Sequence, residues 1–417
     1  MLIPRTHYLE QLIRKKHNGL IKIVTGIRRC GKSFLLFNLF RDHLSAQGIA
    51  DDHILQIALD DRRNLALRDP DRMLSYLQER LSGKGQYYVL LDEIQYLPEF
   101  VDVLNTLLHF KETDVYVTGS NSKLLSSDIP TEFRGRGDEI RMHPLSFSEY
   151  VSGHPGSVDE AWEDFINYGG LPYTLSLDLP EDKEKYLIAL NREVYLTDII
   201  ERHRIRNTAE FNELMDILSS SIGSLTNPLK ISNTFKSIKH KRVSDTTIHR
   251  YIQYLEDAFL VSRAIRFDIK GRKYINSLAK YYYEDIGLRN ARLNFRQIEE
   301  THIMENIIYN ELQYRGFQID IGVLDKYTKD ANQKTAKSTY EVDFVATKGN
   351  RKYYIQSAYR MDSTEKEAQE KFSLQNIGDS FKKLVVVRDK IRPRRDESGI
   401  LTIGIQQFLM DENAMDL

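Results

Sequence analysis

Gly26-Ile-Arg-Arg-Cys-Gly-Lys-Ser33 is the stretch from which the rest of this chain can be read. It fits G-x-x-x-x-G-K-[ST] at every position, directly after the apolar run Leu20-Ile-Lys-Ile-Val-Thr25 and directly before a helical pattern from Ser33 to Leu44. Gly26 and Gly31 let the backbone curl until its N–H groups converge on phosphates at a helix N-terminus. The pattern therefore assigns Gly26, Ile27, Arg28, Arg29, Cys30, Gly31, Lys32 and Ser33 to a bound triphosphate, ATP being the natural candidate. Lys32 would lie along the β- and γ-phosphates and the Ser33 hydroxyl would ligate Mg2+. A glycine turn ahead of an ordinary amphipathic helix requires neither the strand nor the spacing. Cys30 sits where such loops vary and is read as a packing residue.

Outward from the loop, Tyr87-Tyr-Val-Leu-Leu-Asp92-Glu93 supplies the matching acids. A buried strand ending in Asp-Glu places both carboxylates at the carboxyl edge of a sheet. There Asp92 would hold Mg2+ and Glu93 would polarise the attacking water, as phosphoryl transfer to water requires. The next strand ends Val117-Thr-Gly-Ser120-Asn121. Ser120 and Asn121 are candidates for orienting water or sensing the γ-phosphate, and a plain Gly-Ser-Asn turn is the alternative. Beyond it, Arg136 first and Arg134 second are candidates for an arginine offered to a neighbouring subunit's nucleotide, against the reading of a solvated arginine.

The 417 residues allow two to four domains. Their 41% hydrophobic and 29% charged residues are those of a globular protein with ample core. Lys plus Arg (59) almost cancels Asp plus Glu (60), so charge is informative only locally. A single cysteine excludes a disulfide framework and fits a reducing, cytoplasmic setting. The start lacks the apolar core of a signal peptide, and no apolar run reaches the roughly 18 residues of a membrane span. Leu20–Thr25, Ile54–Leu59, Tyr87–Leu91 and Val115–Thr118 read as strands; Ser33–Leu44, Pro70–Leu81 and Glu99–Lys111 read as helices. That alternation predicts an α/β core, a doubly wound parallel sheet, over residues 1–150. Helical patterns follow over 151–205, with a Gly169-Gly-Leu-Pro172 turn inside them.

Between Lys230 and Arg296 stand 15 Lys/Arg against 6 Asp/Glu, in a chain whose net charge is −1. Phosphate neutralisation dominates nucleic-acid affinity, so this imbalance points to DNA. Ser244 is a plausible N-cap for a helix over Asp245–Phe259, with Ile248, Ile252, Leu255 and Phe259 inward and Thr246, Thr247, His249, Arg250, Gln253 and Tyr254 outward. Val261–Phe267 would pair with Leu278–Tyr283 across the tip Lys270-Gly-Arg-Lys273. Helices followed by a basic-tipped hairpin predict a winged helix-turn-helix over 206–297. Its DNA-contacting candidates are Lys239, Lys241, Arg242, Thr247, His249, Arg250, Lys270, Arg272 and Lys273, reading backbone or shape rather than bases. The alternative is a protein-binding module with solvated lysines.

Residues 298–417 predict a further αβ domain: a helix over Glu299–Arg315, a strand over Phe317–Val323, a polar loop over Lys326–Lys337, then strands over Tyr340–Thr347, Lys352–Ala358 and Leu384–Arg388. This layout, with Glu341-Val-Asp343-Phe and Tyr354-Ile-Gln356-Ser-Ala358, resembles the PD-(D/E)xK nucleases. In an active nuclease of that kind the Asp and a later acid hold Mg2+ and a lysine helps position water. Here Asp343 is in place, with Glu305 and Glu311 on the preceding helix, but Gln356 stands at the acid position and Ala358 at the lysine position. An amide is a poor ligand for a hard dication and no basic group replaces the lysine in register, so the expected site is vestigial. No Cys/His cluster has zinc spacing.

Taken together, Gly-Ile-Arg-Arg-Cys-Gly-Lys-Ser, Leu-Leu-Asp-Glu-Ile-Gln, Thr-Gly-Ser-Asn-Ser, Gly-Arg, Pro144-Leu-Ser-Phe-Ser-Glu-Tyr150, Tyr168-Gly-Gly-Leu-Pro-Tyr and Glu341-Val-Asp-Phe resemble a large prokaryotic family of AAA+-type ATPases. The resemblance spans nearly the whole chain. It implies a helical lid after the core, a winged-helix region, a restriction-endonuclease-like C-terminal domain, and an ATPase that works as a homo-oligomer on DNA, a ring being one form. The expected function is ATP- and Mg2+-dependent DNA processing, with no membrane role. By analogy with resolvases of similar fold, branched DNA is a candidate, including the four-way Holliday junctions of repair and recombination. The rivals are an ATP-gated endonuclease and a nucleotide-dependent switch for partner binding.

Overall fold

The computed structural model describes residues 2–119, 133, 135–238, 243–329 and 335–417. Contacts group them into two compact units: the residues up to Pro144 with Asp257–Phe259, and Leu145–Glu256 with Leu260–Leu417.

The first unit carries β1 (Ile21–Thr25), β2 (Ile54–Ala58), β3 (Tyr87–Asp92), β4 (Thr113–Thr118) and β5 (Gly137–Arg141). They lie in the order β2-β3-β4-β1-β5 with every neighbouring pair parallel. Side chains alternate across a strand, so Ile21, Ile23, Val89, Leu91, Val115 and Val117 share one face. There they pack with Met73 and Leu77 of the helix Pro70–Arg80 and with Val103, Leu104 and Leu107 of the helix Phe100–Leu107. The other face holds Tyr116 against Phe40, with ring centroids 4.5 Å apart. It also holds a buried ion pair, Lys22 with Asp114, to which Tyr116 donates at 2.9 Å. Since the strands are parallel, the ends at Thr25, Asp92 and Thr118 open on one edge. β5 is an addition to the expected strands. It is an edge strand written Gly-Asp-Glu-Ile-Arg, and its charges, suited to an edge, hide it from a hydrophobicity reading.

In the second unit, the stretch Leu145-Ser-Phe-Ser-Glu-Tyr150 acquires a mechanical meaning. Ser146 caps the helix Phe147–Gly153 and Glu149 reaches back to its N–H in a capping box. The Gly169-Gly turn ends the helix Val158–Tyr168, and the Gly170 N–H donates to the fully buried Asp285 at 2.7 Å. Helices Thr208–Ser220, Pro228–Ile238 and Asp245–Asp257 follow. In the last, Ile248, Ile252 and Leu255 are buried as the spacing predicts. Tyr254 departs from its expected outward position: its ring stacks on His203 at 3.6 Å, because an aromatic face is better covered than solvated.

The hairpin forms as β6 (Val261–Asp268) and β7 (Lys273–Tyr283). It does not stand free. Arg266–Asp268 pair in parallel with Ile321–Val323 of β8 (Gln318–Lys329), so the hairpin completes an eight-stranded sheet. With β9 (Thr335–Lys348), β10 (Arg351–Ala358), β11 (Lys382–Val387), β12 (Arg394–Arg395) and β13 (Leu401–Gly404), the order is β12-β13-β11-β10-β9-β8-β6-β7. Gly322 permits this close approach, since a Cβ there would stand 2.9 Å from Ile269 Cδ1 and 2.8 Å from Val342 Cβ. The described part of the expected polar loop Lys326–Lys337 is strand instead. Lys326 lies opposite Ser338 and Tyr327 opposite Lys337. Ladder hydrogen bonds satisfy these backbones whatever the polarity of their side chains.

Candidate functional site

The loop after β1 has the backbone its glycines allow: φ is +135° at Gly26, +69° at Arg29 and +102° at Gly31. At Gly26 a Cβ would lie 2.0 Å from the Met142 carbonyl oxygen, so only glycine fits. Cys30 is buried, its thiol 3.6 Å from the same carbonyl, which is a packing position. Lys32 is folded back, donating to the carbonyls of Gly26 and Ile27 at 3.0 Å each. Ser33 opens the following helix and is exposed.

Asp92, 4% exposed, ends β3 on the same edge. Burial raises its carboxyl above the ordinary range; hydrogen bonds from the Thr118 and Ser33 hydroxyls oppose that rise. The loop serine and the strand-end aspartate, read from stretches far apart in sequence, are therefore close enough for the hydroxyl to steady the carboxylate. Glu93 follows in the left-handed region at φ +53°. Its N–H donates to Thr118 Oγ1 at 3.1 Å, and the Gln95 amide donates to its carboxylate. A single hydroxyl, Thr118, thus touches both acidic residues, while Gln95 holds the side chain of the second. Neither was singled out in the sequence, although Thr118 at the tip of β4 carried the signal. On the β5 side, Thr25 donates to Glu139 at 2.6 Å, and burial raises the Glu139 carboxyl.

Ser120, Asn121 and Arg134 lie outside the described residues. Arg136 is exposed at the start of β5. Its carbonyl accepts from Ile21, the first residue of β1, at 2.9 Å, and its guanidinium lies 3.3 Å from Asn105 Oδ1. It therefore sits at the opposite edge of the sheet from its own phosphate loop, about 15 Å away along a five-residue strand.

Of the basic candidates, Lys270, Arg272 and Lys273 are exposed at the hairpin tip, His249 and Arg250 are exposed on their helix, and Thr247 is half-buried. Lys239, Lys241 and Arg242 lie outside the described residues. Part of the local positive excess is internal. Arg289, fully buried, donates to the Ser219 carbonyl at 2.8 Å. Lys280, 4% exposed, enters a carboxylate cluster.

That cluster collects Glu305, Glu341 and Asp343 around the Lys280 ammonium at 2.8, 2.8 and 3.5 Å. Tyr282 donates to Glu305 at 2.7 Å and the Ser357 N–H to Asp343 at 2.9 Å. Burial alone would lower Lys280, but the three carboxylates outweigh it and hold its proton well above the ordinary lysine range. Burial pushes Asp343 up to about 7 against the opposing charge of Lys280. Gln356 lies on the neighbouring rung of β10, its amide oxygen buried without a hydrogen-bond partner, and Ala358 is buried. Glu311 is not part of the cluster. It pairs with Arg315 at 2.7 Å, and that guanidinium also caps the Phe408 and Asp411 carbonyls.

A family model described as an AAA domain matches residues 18–151, and one described as a domain of unknown function (DUF8612) matches residues 159–299. Residues 18–151 thus match an AAA domain, and the first unit has the α/β core and phosphate-loop geometry of a P-loop ATPase. An uncharacterised protein of Haemophilus influenzae is 33% identical over 415 residues, covering 98% of this chain and 99% of that one. An uncharacterised protein of Methanocaldococcus jannaschii is 31% identical over 406 residues, 94% of this chain and 85% of its own length. The chain belongs to the family these two proteins represent. Among solved structures, the Aeropyrum pernix ORC1 protein in complex with DNA aligns over 70% of this chain and 92% of its own at 15% identity and a TM-score of 0.29. No helix of the described residues is long and apolar enough to cross a membrane.

Proposed function

We propose that this protein is an ATP hydrolase that acts on DNA as an oligomer. One observation carries the first half: the exposed Ser33 stands beside the buried Asp92 carboxylate, which its hydroxyl and that of Thr118 steady, at the mouth of a loop curled through φ +135° and +102°. A hydroxyl and a carboxylate are oxygen donors of the kind a hard dication takes, so Ser33 and Asp92 fit Mg2+, which would neutralise charge on the transferred phosphoryl group. Lys32 would exchange its two loop carbonyls for phosphate oxygens. Glu93, released from Gln95, would accept the proton of the attacking water. Thr118 would keep both acids in register. An arginine from a neighbouring copy, Arg136 or Arg134, would complete the charge stabilisation.

The DNA half rests on the exposed basic tip Lys270–Lys273 and the exposed His249 and Arg250. Backbone contact is the recognition such side chains serve best, and the reading extends to branched duplexes by analogy of fold alone. The test is ATP turnover by the full chain at low salt, alone and with linear, forked and four-way DNA, read alongside particle mass. Stimulation by DNA, strongest with the branched forms, together with nucleotide-dependent assembly, is the expected result. ATP turnover indifferent to every DNA, with no DNA retained at low salt, sinks the DNA half; failure to bind magnesium-nucleotide sinks the whole.

A further inference from the structure

The resemblance to PD-(D/E)xK nucleases implies a divalent cation held by Asp343 and neighbouring acids. The residues present do not fit one. The Lys280 ammonium stands at hydrogen-bond distance from Glu305 and Glu341, 2.8 Å from each, and 3.5 Å from Asp343. Tyr282 donates to the same Glu305 oxygen as the ammonium, and the Ser357 N–H donates to Asp343. A magnesium ion needs oxygens at about 2.0–2.1 Å around a nearly octahedral centre. A buried positive charge at the middle of the same carboxylates excludes it both sterically and electrostatically.

We propose that Lys280 replaces the metal: an ammonium from the β7 strand permanently occupies the cation position of a nuclease-like carboxylate cluster, leaving the domain metal-free and unable to cleave DNA. The replacement comes from outside the motif, because β6 and β7 join the sheet through β8 and Lys280 faces inward with Tyr282, two residues on. The same geometry gives the ammonium a structural task. It ties β7 to the helix Glu300–Tyr314 through Glu305 and to β9 through Glu341 and Asp343. A dication in that place would bind and leave with conditions, whereas a lysine cannot leave. The basic hairpin tip is consequently fixed to the C-terminal sheet by the remnant of a cleavage site. This inference does not depend on ATP hydrolysis and stands or falls separately from it.

Mn2+ titration of the full chain is the test, followed by electron paramagnetic resonance and by thermal unfolding, with Asp92→Asn present throughout to silence the loop site. The Lys280-intact protein is expected to bind no Mn2+ that Asp343→Asn removes. Adding Lys280→Ala uncovers three carboxylates and should create such a site, seen as a rise of roughly 3 °C or more in unfolding midpoint in 1 mM Mn2+. That rise should vanish when Asp343→Asn is added. Mn2+ bound by the Lys280-intact protein and lost in Asp343→Asn overturns the proposal, as does Mg2+- or Mn2+-dependent DNA cleavage that Asp343→Asn abolishes. A folded Lys280→Ala protein indifferent to Mn2+ overturns it equally. Should Lys280→Ala not fold, the titration of the Lys280-intact protein decides alone.

Discussion

Asp92 and Asp343 are both buried carboxylates whose protons burial holds too tightly, yet their surroundings give them opposite prospects. Asp92 is steadied by two hydroxyls, Thr118 and Ser33, and Ser33 is exposed, so its lone pairs face a place that a cation can enter. Asp343 is steadied by an ammonium already inside, and by a backbone N–H. The comparison teaches that a carboxylate pattern alone does not define a metal site; what decides is whether the protein brings its own positive charge. Neutral donors leave an acid available, whereas a lysine uses it up.

The sharpest way to break this comparison is to neutralise one acid in each region. Glu93→Gln should bind ATP as tightly as the unaltered protein while turnover falls on the order of a thousandfold, since general-base contributions of this kind are typically worth 100- to 10,000-fold. Asp92→Asn should weaken magnesium-dependent turnover comparably, whereas Asp343→Asn should leave ATP turnover unchanged. Steady-state hydrolysis and nucleotide titration on the three variants check this. A large loss of turnover in Asp343→Asn would show that the second cluster is not the inert remnant argued above.

Thr118 tests the same contrast more finely, because it is the hydroxyl that Asp92 has in place of a lysine. Thr118→Val keeps the shape and removes the hydrogen bonds to the Asp92 carboxylate and from the Glu93 N–H. An unsatisfied buried group costs about 1–3 kcal/mol, so turnover should drop roughly 10- to 100-fold with little change in ATP affinity. Thr118→Ser should restore most of it. Loss of ATP binding in step with turnover would mark Thr118 as merely structural.

Much of the first region was legible in the sequence because its signals are local. A glycine at each end of the loop, a serine opening a helix and two acids closing an apolar strand each declare themselves within eight residues. Strand alternation then brings 33 and 92 to one edge without further information. The edge strand β5 escaped because three of its five residues are charged, and Lys22 passed as part of an apolar run although it is a fully buried cation paired with Asp114. The second region was half legible. Asp343 and Glu341 sharing a face followed from period two, and the gap at Gln356 and Ala358 was plain. What no local pattern could show was Lys280. Its arrival depends on β6 pairing with β8, a long-range choice set by the space at Gly322 rather than by any motif. The basic stretch misled for the same reason: counting charges between Lys230 and Arg296 included Lys280 and Arg289, whose partners are internal.

A third buried carboxylate lies between the two extremes. Asp285 is held by backbone N–H groups, with no ion pair to it among the described residues. Burial raises its carboxyl to about 6, while the N–H groups of Gly170, Leu288 and Gly287 oppose the rise. The native state then holds this proton at pH values where the unfolded chain, near the ordinary 3.8, has released it. Stability from this group is therefore greatest below about pH 4 and declines as pH rises to about 6, levelling off above. Asp285→Asn does not titrate, so the unfolding free energy of the unaltered protein relative to that variant should shrink by roughly 2–4 kcal/mol between pH 4 and pH 7. Urea unfolding at the two values measures it. A gap that widens with pH would mean that the amide donors outweigh burial, and would move Asp285 toward the condition of an acid stabilised in its charged form.

The smallest effect concerns positive charge left facing solvent, the counterpart of Lys280 within the same hairpin. Lys270, Arg272 and Lys273 are exposed, and the turn is pinned by hydrogen bonds from the Gly271 N–H to Asp268 at 2.8 Å and from the Ile269 N–H to the Val323 carbonyl at 3.0 Å. Each such cation that contacts a phosphate releases about one counterion, so the slope of log affinity against log salt should fall by about 0.9 per contact removed. Replacing all three by Ala should flatten that slope by up to about 3 and weaken binding uniformly across duplex sequences. Fluorescence anisotropy with two unrelated duplexes at several salt concentrations reads both. The hairpin is held to the sheet by Lys280, so this variant should unfold at the same temperature as the parent. An unchanged salt slope would place the DNA contact elsewhere, and the division of labour within the hairpin, one lysine inward for the fold and its tip cations outward for a polyanion, would lose its second half.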